Sequence, residues 1–304
     1  MSSRLRSIVR SVKKTDVVWR YGLNLSPTIN YRISNKNQLT DIEKSIVNTL
    51  DTAGIAVTSV DELFGDDSEF CRLDSATRRL LEDKKQEIDI LKSMANDQTA
   101  IGSKTFNLEV LGSELTFDSQ CIFARFALNS RLLNIANAYF RMYAKLRYYN
   151  VWNTFASHGE ARESQLWHFD REDNYILKLF LYLEDVDEGA GPFTYAPGTH
   201  RKGRFRSIEP EFFMEGGVRR TTDEQMIAVF PKENWKKGMG KKGTIIFADT
   251  RGFHKGGEAR TKDRLMYTCM YTSRASESKE LLTIPPNFNN GALTADQLRN
   301  LGIR

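Results

Sequence analysis

The spacing of apolar residues in the first half of the chain predicts helices. Thr40 followed by Glu43 has the pattern of a capping box, in which each side chain accepts the other residue's backbone N–H. The apolar residues that continue this helix have the spacing of one helix face, and they are Ile42, Ile46, Val47 and Leu50. Two further helices are predicted over residues 74–95 and 129–140, and a short strand over residues 54–60.

The pattern changes near residue 142, where short β-type runs begin. Turns rich in glycine and proline separate these runs, and most of them have no helix between them. This arrangement favours an antiparallel sandwich or barrel over a parallel, doubly wound sheet. The predicted strands lie at residues 147–156, 165–170, 175–183, 191–197, 243–249 and 264–273.

The chain is therefore predicted to form one domain, mainly β with flanking helices. No internal repeat, low-complexity tract or evident linker divides its 304 residues. The predicted parts of this single domain (1–304) are a basic N-terminal segment (1–14), a mostly helical flank (40–141), a β core (142–275) and a C-terminal extension (276–304).

The formal net charge of +5 comes from the N-terminal segment and not from a basic face. Residues 1–14 carry five basic residues and no acidic residue, so the remaining chain is formally neutral. This segment is expected to be a short basic helix or a terminal tail, and its composition also resembles a mitochondrial presequence. Nucleic-acid-binding domains spread basic charge over a face, so nucleic acid is not expected as a partner.

Composition places the protein among globular proteins, with 40% hydrophobic and 27% charged residues. No stretch reaches the roughly 20 apolar residues that span a bilayer, so no integral membrane segment is expected. Cys71, Cys121 and Cys269 are odd in number and widely separated, which is not typical of a disulfide scaffold. A reducing compartment, the cytoplasm, is therefore expected. The sequence leaves the oligomeric state open.

Four residues suggest chemistry. His168 and Asp170 are one residue apart in a predicted strand, so their side chains project to the same face. His254 follows another predicted strand, and two histidines with one carboxylate form the facial triad that holds non-haem Fe(II). Arg264 begins the next predicted strand, where a guanidinium can hold a carboxylate through two parallel hydrogen bonds.

In combination, these motifs resemble the phytanoyl-CoA dioxygenase family of Fe(II)/2-oxoglutarate-dependent oxygenases. The resemblance covers residues 145–275 and is most detailed over residues 167–200. The motif residues are His168, Asp170, the Pro-Gly-Thr-His sequence that ends at His200, His254 and Arg264.

The resemblance implies a double-stranded β-helix core, a jelly roll of the cupin type. It also implies that His168, Asp170 and His254 bind Fe(II) and that Arg264 binds the distal carboxylate of 2-oxoglutarate. The implied reaction consumes O2 and 2-oxoglutarate, releases succinate and CO2, and hydroxylates a small-molecule or carrier-linked substrate. Halogenating relatives have a small residue in place of the carboxylate, so the presence of Asp170 favours hydroxylation.

Two further residues are candidates for the cosubstrate site. Lys178 interrupts an apolar strand, where a lysine is costly unless it is paired, so it is expected to face the cavity or an exposed strand edge. Asn153, in the preceding strand, is a second candidate for contact with 2-oxoglutarate. Arg260 competes with Arg264 for the cosubstrate carboxylate, and His200 is expected to fix the Pro-Gly turn.

Two other functions fit part of the pattern. A zinc hydrolase uses a similar ligand set, and a jelly roll also serves as a non-catalytic ligand-binding module. The sequence does not identify the substrate or the exact oxidation, because one fold hosts many functions. The large aromatic residues near the motifs are expected to be core residues, and they are Trp152, Trp167, Phe180 and Tyr182.

Overall fold

The structure, a computed structural model, describes residues 15–34, 39–95, 106–288 and 290–303. The predicted basic N-terminal segment, residues 1–14, lies outside the described residues. A π-helical segment, Val18–Leu23, precedes the first α-helix. The α-helices are α1 (Leu25–Ser34), α2 (Asp41–Ala53), α3 (Val60–Phe64), α4 (Ser68–Asp83), α5 (Lys85–Ala95), α6 (Ile122–Ala127), α7 (Ser130–Phe140), α8 (Asp223–Ile227) and α9 (Ala295–Asn300).

Helix α2 begins and ends where the sequence predicts. The Glu43 N–H donates to Thr40 Oγ1, and the Thr40 N–H donates to the Glu43 carboxylate at 2.7 Å. Gly54 ends the helix with φ 78°, a left-handed conformation that glycine adopts without steric cost. The helix predicted over residues 74–95 is instead two helices, α4 and α5, with a break at Lys84.

Two antiparallel sheets form the β core. The main sheet has the strand order β1-β10-β5-β12-β4-β2, and the minor sheet has the order β11-β6-β9. The strands are β1 (Ile55–Ser59), β2 (Asn107–Glu109), β3 (Leu115–Thr116), β4 (Lys145–Thr154), β5 (Leu177–Tyr182), β6 (Thr194–Tyr195), β7 (Phe213–Glu215), β8 (Val218–Arg220), β9 (Lys236–Lys237), β10 (Thr244–Asp249), β11 (His254–Lys255), β12 (Arg264–Thr272) and β13 (Leu282–Thr283).

The two faces of the main sheet pack against different partners. The odd-numbered leucines of β5 belong to a large apolar core that also contains residues of helices α2 and α7. Phe180 and Tyr182, which alternate with them, pack with Tyr195 of the minor sheet. The helices therefore cover the outer face of the main sheet, and the minor sheet covers the inner face. This is the two-sheet arrangement of the expected jelly roll, mainly β with flanking helices.

The β core does not coincide with the predicted boundaries of residues 142–275. Strands β1 and β2 lie in the predicted helical flank, yet β1 pairs with β10 and β2 pairs with β4. The predicted strand over residues 165–170 is reduced to isolated bridges at Trp167 and His168. The flank therefore supplies both edges of the main sheet, where strands need only one partner.

No described helix combines the length and the apolar character needed to cross a membrane. Cys71, Cys121 and Cys269 are free thiols. Cys269 is buried in β12, and burial raises its pKa to about 12, which is typical of an unreactive structural thiol.

Candidate active site

His168, Asp170 and His254 converge in the space between the two sheets. One ligand atom from each residue, an imidazole nitrogen or a carboxylate oxygen, lies within 4.8 Å of the other two. His254 belongs to β11, and His168 and Asp170 lie in the segment beside it. The structure therefore brings together the three residues that the sequence proposes as metal ligands.

Backbone hydrogen bonds hold the two histidines next to each other. The His168 N–H donates to the His254 carbonyl at 3.0 Å, and the His254 N–H donates to the His168 carbonyl at 2.9 Å. The Asp170 N–H donates to the carbonyl of Thr250 at 2.8 Å. These bonds set the register between two segments that are distant in sequence.

Each histidine is oriented by a second hydrogen bond. His168 Nδ1 lies 2.8 Å from the Leu166 carbonyl, and His254 Nδ1 lies 3.0 Å from the Gly252 carbonyl. Because Nδ1–H donates to these carbonyls, Nε2 keeps its lone pair for a metal ion. Burial lowers the pKa of His254 to about 4 and that of His168 well below its usual value. Both imidazoles are therefore neutral near pH 7, as metal ligands must be.

Lys178 lies on the inner face of β5 and forms an ion pair with Asp170. The Lys178 Nζ to Asp170 Oδ2 distance is 2.7 Å, and each side chain is only 15% exposed. Burial is the largest single influence and would raise the pKa of Asp170, but the charge and hydrogen bond of Lys178 together with the two neighbouring histidines hold that pKa below its usual value. The lysine thus helps to keep the carboxylate ionised, and of the two positions left open by the sequence it takes the cavity and not an exposed strand edge.

Arg264, at the start of β12, is a buried cation without an acidic partner among the described residues. It is 4% exposed, and its guanidinium makes long hydrogen bonds of 3.4 Å to the Gly257 carbonyl and to Thr154 Oγ1. Its Nε has no hydrogen-bond partner in the described part of the chain. A buried charge is stable only when paired, so this site is suited to an anionic ligand.

These residues line one cavity of about 310 Å³. One side, which we call the strand wall, is formed by inner-face residues of the main sheet, and they are Trp152, Thr154, Lys178, Phe180, Arg264 and Met266. A second side, the hairpin wall, is formed by the β7–β8 hairpin, and its residues are Gly217, Val218, Arg219 and Arg220. The triad lines the same cavity, so metal ligands, lysine and arginine share one solvent-accessible space.

Asn153 is not among the residues that line this cavity. Adjacent side chains of a strand point to opposite faces, and its neighbours Trp152 and Thr154 take the inner face of β4. The geometry thus gives no support to contact between Asn153 and the cosubstrate. Trp152 packs against the core as expected and also lines the cavity, where its buried Nε1–H has no hydrogen-bond partner among the described residues.

The remaining candidates support the loops around the site. Arg260 donates to the carbonyls of Ser157 and Gly159 and pairs with Glu258, and it does not line the cavity. His200 is fully buried, with Nε2 3.4 Å from the Asp51 carbonyl. Its neighbour Thr199 accepts the N–H of Phe253, the residue before His254, at 2.8 Å. The Pro-Gly-Thr-His turn therefore fixes the segment that carries the third ligand.

Comparison with known proteins identifies the family. The model of the phytanoyl-CoA dioxygenase family, "Phytanoyl-CoA dioxygenase (PhyH)", matches residues 59–266, which is more than half of the chain. The chain belongs to the phytanoyl-CoA dioxygenase family. Members of this family use Fe(II), 2-oxoglutarate and O2, so the protein is an Fe(II)/2-oxoglutarate-dependent oxygenase. No curated protein sequence matches the chain.

Several solved structures are similar to this family member at low sequence identity. The epimerase SnoN, in complex with Fe3+, alpha-ketoglutarate and nogalamycin RO, has a TM-score of 0.50 and 16% identity, covering 76% of this chain and 84% of SnoN. EctD from S. alaskensis, with bound Fe, has a TM-score of 0.49 and 16% identity, covering 83% of this chain and 90% of EctD. HygX from Streptomyces hygroscopicus, with nickel, 2-oxoglutarate and hygromycin B, has a TM-score of 0.45 and 14% identity, covering 78% of this chain and 88% of HygX.

The residues present fit the cofactor and the cosubstrate of the family. Two neutral imidazoles with free Nε2 atoms and one ionised carboxylate form the donor set that suits non-haem Fe(II). The unpaired N–H of the buried Arg264 suits a carboxylate. A metal-independent binding module has no need for this combination of neutral histidines and an ionised carboxylate.

Proposed function

We propose that this oxygenase hydroxylates a small-molecule or carrier-linked substrate in the cavity between the two sheets. The observation that carries the proposal is the convergence of His168, Asp170 and His254 beside the unpaired, buried Arg264. In this proposal the three clustered residues bind Fe(II), and Arg264 binds the distal carboxylate of 2-oxoglutarate. When bound, the metal supplies the redox chemistry that couples the oxidation of 2-oxoglutarate by O2 to oxidation of the substrate.

The protein's own residues orient and protect the reacting groups. The carbonyls of Leu166 and Gly252 hold the imidazole rings with Nε2 directed away from them, into the cluster. Lys178 helps to keep Asp170 ionised, so the carboxylate remains an acceptor and ligand. Phe180 and Met266 make the strand wall partly apolar, which limits water near the reacting atoms.

Hydroxylation is the outcome that the triad favours over halogenation. Asp170 occupies the carboxylate position, so no ligand position is freed for halide. Epimerisation is the outcome named for SnoN, which was solved with Fe3+ and alpha-ketoglutarate, so the cofactor and cosubstrate alone do not select the outcome. The family name points to an acyl-CoA, but one fold serves many substrates, so the substrate class has to be argued from the cavity.

Isotope-labelled turnover tests this proposal. Purified protein with Fe(II), 2-oxoglutarate and a pool of small metabolites is incubated under 18O2, and products are analysed by mass spectrometry. We expect 2-oxoglutarate-dependent succinate formation and one 18O atom in a product. Succinate formation with a product lacking 18O would contradict hydroxylation, and folded protein that forms no succinate would contradict the oxygenase function.

A further inference from the structure

Arg220 is a second buried arginine in the active-site cavity. It ends strand β8 of the hairpin wall and is 8% exposed. Its Nε and Nη1 atoms are buried and have no hydrogen-bond partner in the described part of the chain. A guanidinium carries five N–H donors, so burial without partners has a substantial energetic cost.

The acidic residue nearest to Arg220 does not satisfy it. The distance from Arg220 Nε to Glu215 Oε2 is 3.7 Å, which is an ion pair but is too long for a hydrogen bond. The same Glu215 oxygen already accepts the backbone N–H of Glu163 at 2.8 Å. Glu215 therefore supports the hairpin and the loop at Glu163, and the cavity-lining donors of Arg220 remain available.

Arg220 and Arg264 lie in different surroundings, although both line the cavity. Glu215, Glu163 and the ligand Asp170 are close enough to Arg220 for their charges to act on it. Arg264 has no acidic residue acting on it among the described residues, only the phenol of Tyr182 of the main sheet, which is neutral near pH 7. The two guanidinium groups belong to separate walls, the hairpin wall and the strand wall, so they suit two different anionic groups.

A larger cavity of about 730 Å³ adjoins the active-site cavity. The two share Phe169 and Arg219, so they lie side by side. Basic residues outnumber acidic residues in the lining of the larger cavity. The basic residues are Arg201, Arg206, Arg219 and Arg251, and the acidic residues are Asp16 and Glu209. This charge balance favours anionic over cationic ligands in the larger cavity.

We infer that the substrate carries a carboxylate or phosphate group and that Arg220 binds this group while the cosubstrate occupies Arg264. This inference rests on the proposed function, because it assigns Arg264 to 2-oxoglutarate. Arg220 would then fix the distance between the anionic group of the substrate and the metal, and hence the carbon that is oxidised. Uncharged analogues would leave a buried guanidinium unpaired and would be rejected.

The test is anaerobic calorimetric titration of the protein saturated with Fe(II) and 2-oxoglutarate. The probes are acetate, benzoate and phenyl phosphate, with uncharged benzamide as the matched neutral compound. We expect at least one anionic probe to bind and benzamide not to bind. Arg220→Gln should lower the affinity for the probe that binds roughly ten-fold to a hundred-fold, which is the loss typical of a charge-assisted hydrogen bond.

Two variants control for charge and folding. Arg204→Gln removes the same charge from an exposed position outside both cavities, and probe binding should change less than about two-fold. Arg220→Lys keeps the charge but loses the forked N–H donors of the guanidinium, so it should lower the affinity for the probe several-fold. It also tests the inference if Arg220→Gln does not fold.

Three results would overturn the inference. They are wild-type protein that binds no anionic probe, Arg220 variants that bind the probe as wild type does, and a parallel loss of 2-oxoglutarate affinity in Arg220→Gln. The last would assign Arg220 to the cosubstrate. Failure of the proposed function is recorded separately, because the affinity of wild-type protein for 2-oxoglutarate is measured before any probe is added.

Discussion

The strand wall and the hairpin wall of the cavity are built in different ways. The strand wall belongs to β4, β5 and β12, whose residues are largely buried on both faces and paired along their length. The hairpin wall belongs to two three-residue strands, β7 and β8, which pair with each other and have mostly exposed side chains. The strand wall can hold a reacting group at a fixed position, whereas the residues of the hairpin wall can vary without disturbing the core.

The two buried arginines illustrate this difference. Arg264 lies in the register of the main sheet opposite Thr154 of β4, which one of its Nη atoms contacts. Arg220 depends on the Glu215 contact within its own hairpin. We therefore expect substitutions in the triad and the strand wall to affect chemistry shared by all substrates, and substitutions in the hairpin wall to affect one substrate class.

The largest expected effect is that of His168→Ala, which removes a proposed metal ligand that lines the cavity but belongs to neither wall. Succinate formation from 2-oxoglutarate should fall to background, because two remaining ligands do not hold the metal in reactive geometry. His158→Ala is the matched control, since His158 is exposed and outside the cavity lining. Activity retained by His168→Ala, or lost equally in both variants, would disprove the assignment.

Lys178→Met should destabilise the metal-free protein by about 3 kcal/mol, because it leaves the buried Asp170 without its partner. Urea unfolding of the metal-free protein measures this change. Lys237→Met, which breaks the exposed ion pair with Glu188, should cost less than about 1 kcal/mol. Equal losses in the two variants would show that the Lys178–Asp170 pair does not stabilise the site.

Arg264→Gln should raise the KM for 2-oxoglutarate roughly ten-fold to a hundred-fold, since a charge-assisted pair with a carboxylate is lost. Arg260→Gln is the control, because Arg260 contacts carbonyls and Glu258 outside the cavity. Steady-state kinetics at varied 2-oxoglutarate concentration measures the KM of both variants. A larger effect on KM from Arg260→Gln would reverse the assignment between these arginines.

The smallest expected effect is that of Met214→Gln in the hairpin. Met214 is 59% exposed, so its replacement should change the free energy of unfolding by less than about 0.5 kcal/mol. The KM for 2-oxoglutarate should also be unchanged. A loss of more than about 2 kcal/mol, measured by thermal unfolding, would show that the hairpin is an integral part of the core and would remove the contrast between the walls.

The parts of the site that lie on the strong motifs were predictable from the sequence. A lone lysine in an apolar strand indicates either a cavity or an exposed strand edge, and the fold was needed to place Lys178 at the cavity. Strand β4 offers no such signal, because it is buried on both faces. The sequence therefore did not show that Trp152, besides packing against the core, lines the cavity, or that Asn153 lies outside the cavity lining.

Arg220 was missed for a different reason. Its hairpin has a short, exposed pattern with no periodicity that indicates burial, and only the tertiary fold brings it over the cavity. The sequence predicts a strand at β1, but the places of β1 and β2 at the edges of the main sheet depend on pairing partners that are distant in sequence. Local patterns predicted the existence of most elements, whereas the boundaries of the sheet required long-range contacts.

The most direct test of the central claim is an anaerobic absorption titration with Fe(II) and 2-oxoglutarate, which gives a visible charge-transfer band when both bind at one centre. The account predicts the band in wild-type protein and its loss in His168→Ala. In Arg264→Gln the band should appear only at 2-oxoglutarate concentrations at least about ten-fold higher. Folded wild-type protein without the band, or a band that survives in His168→Ala, would contradict the account.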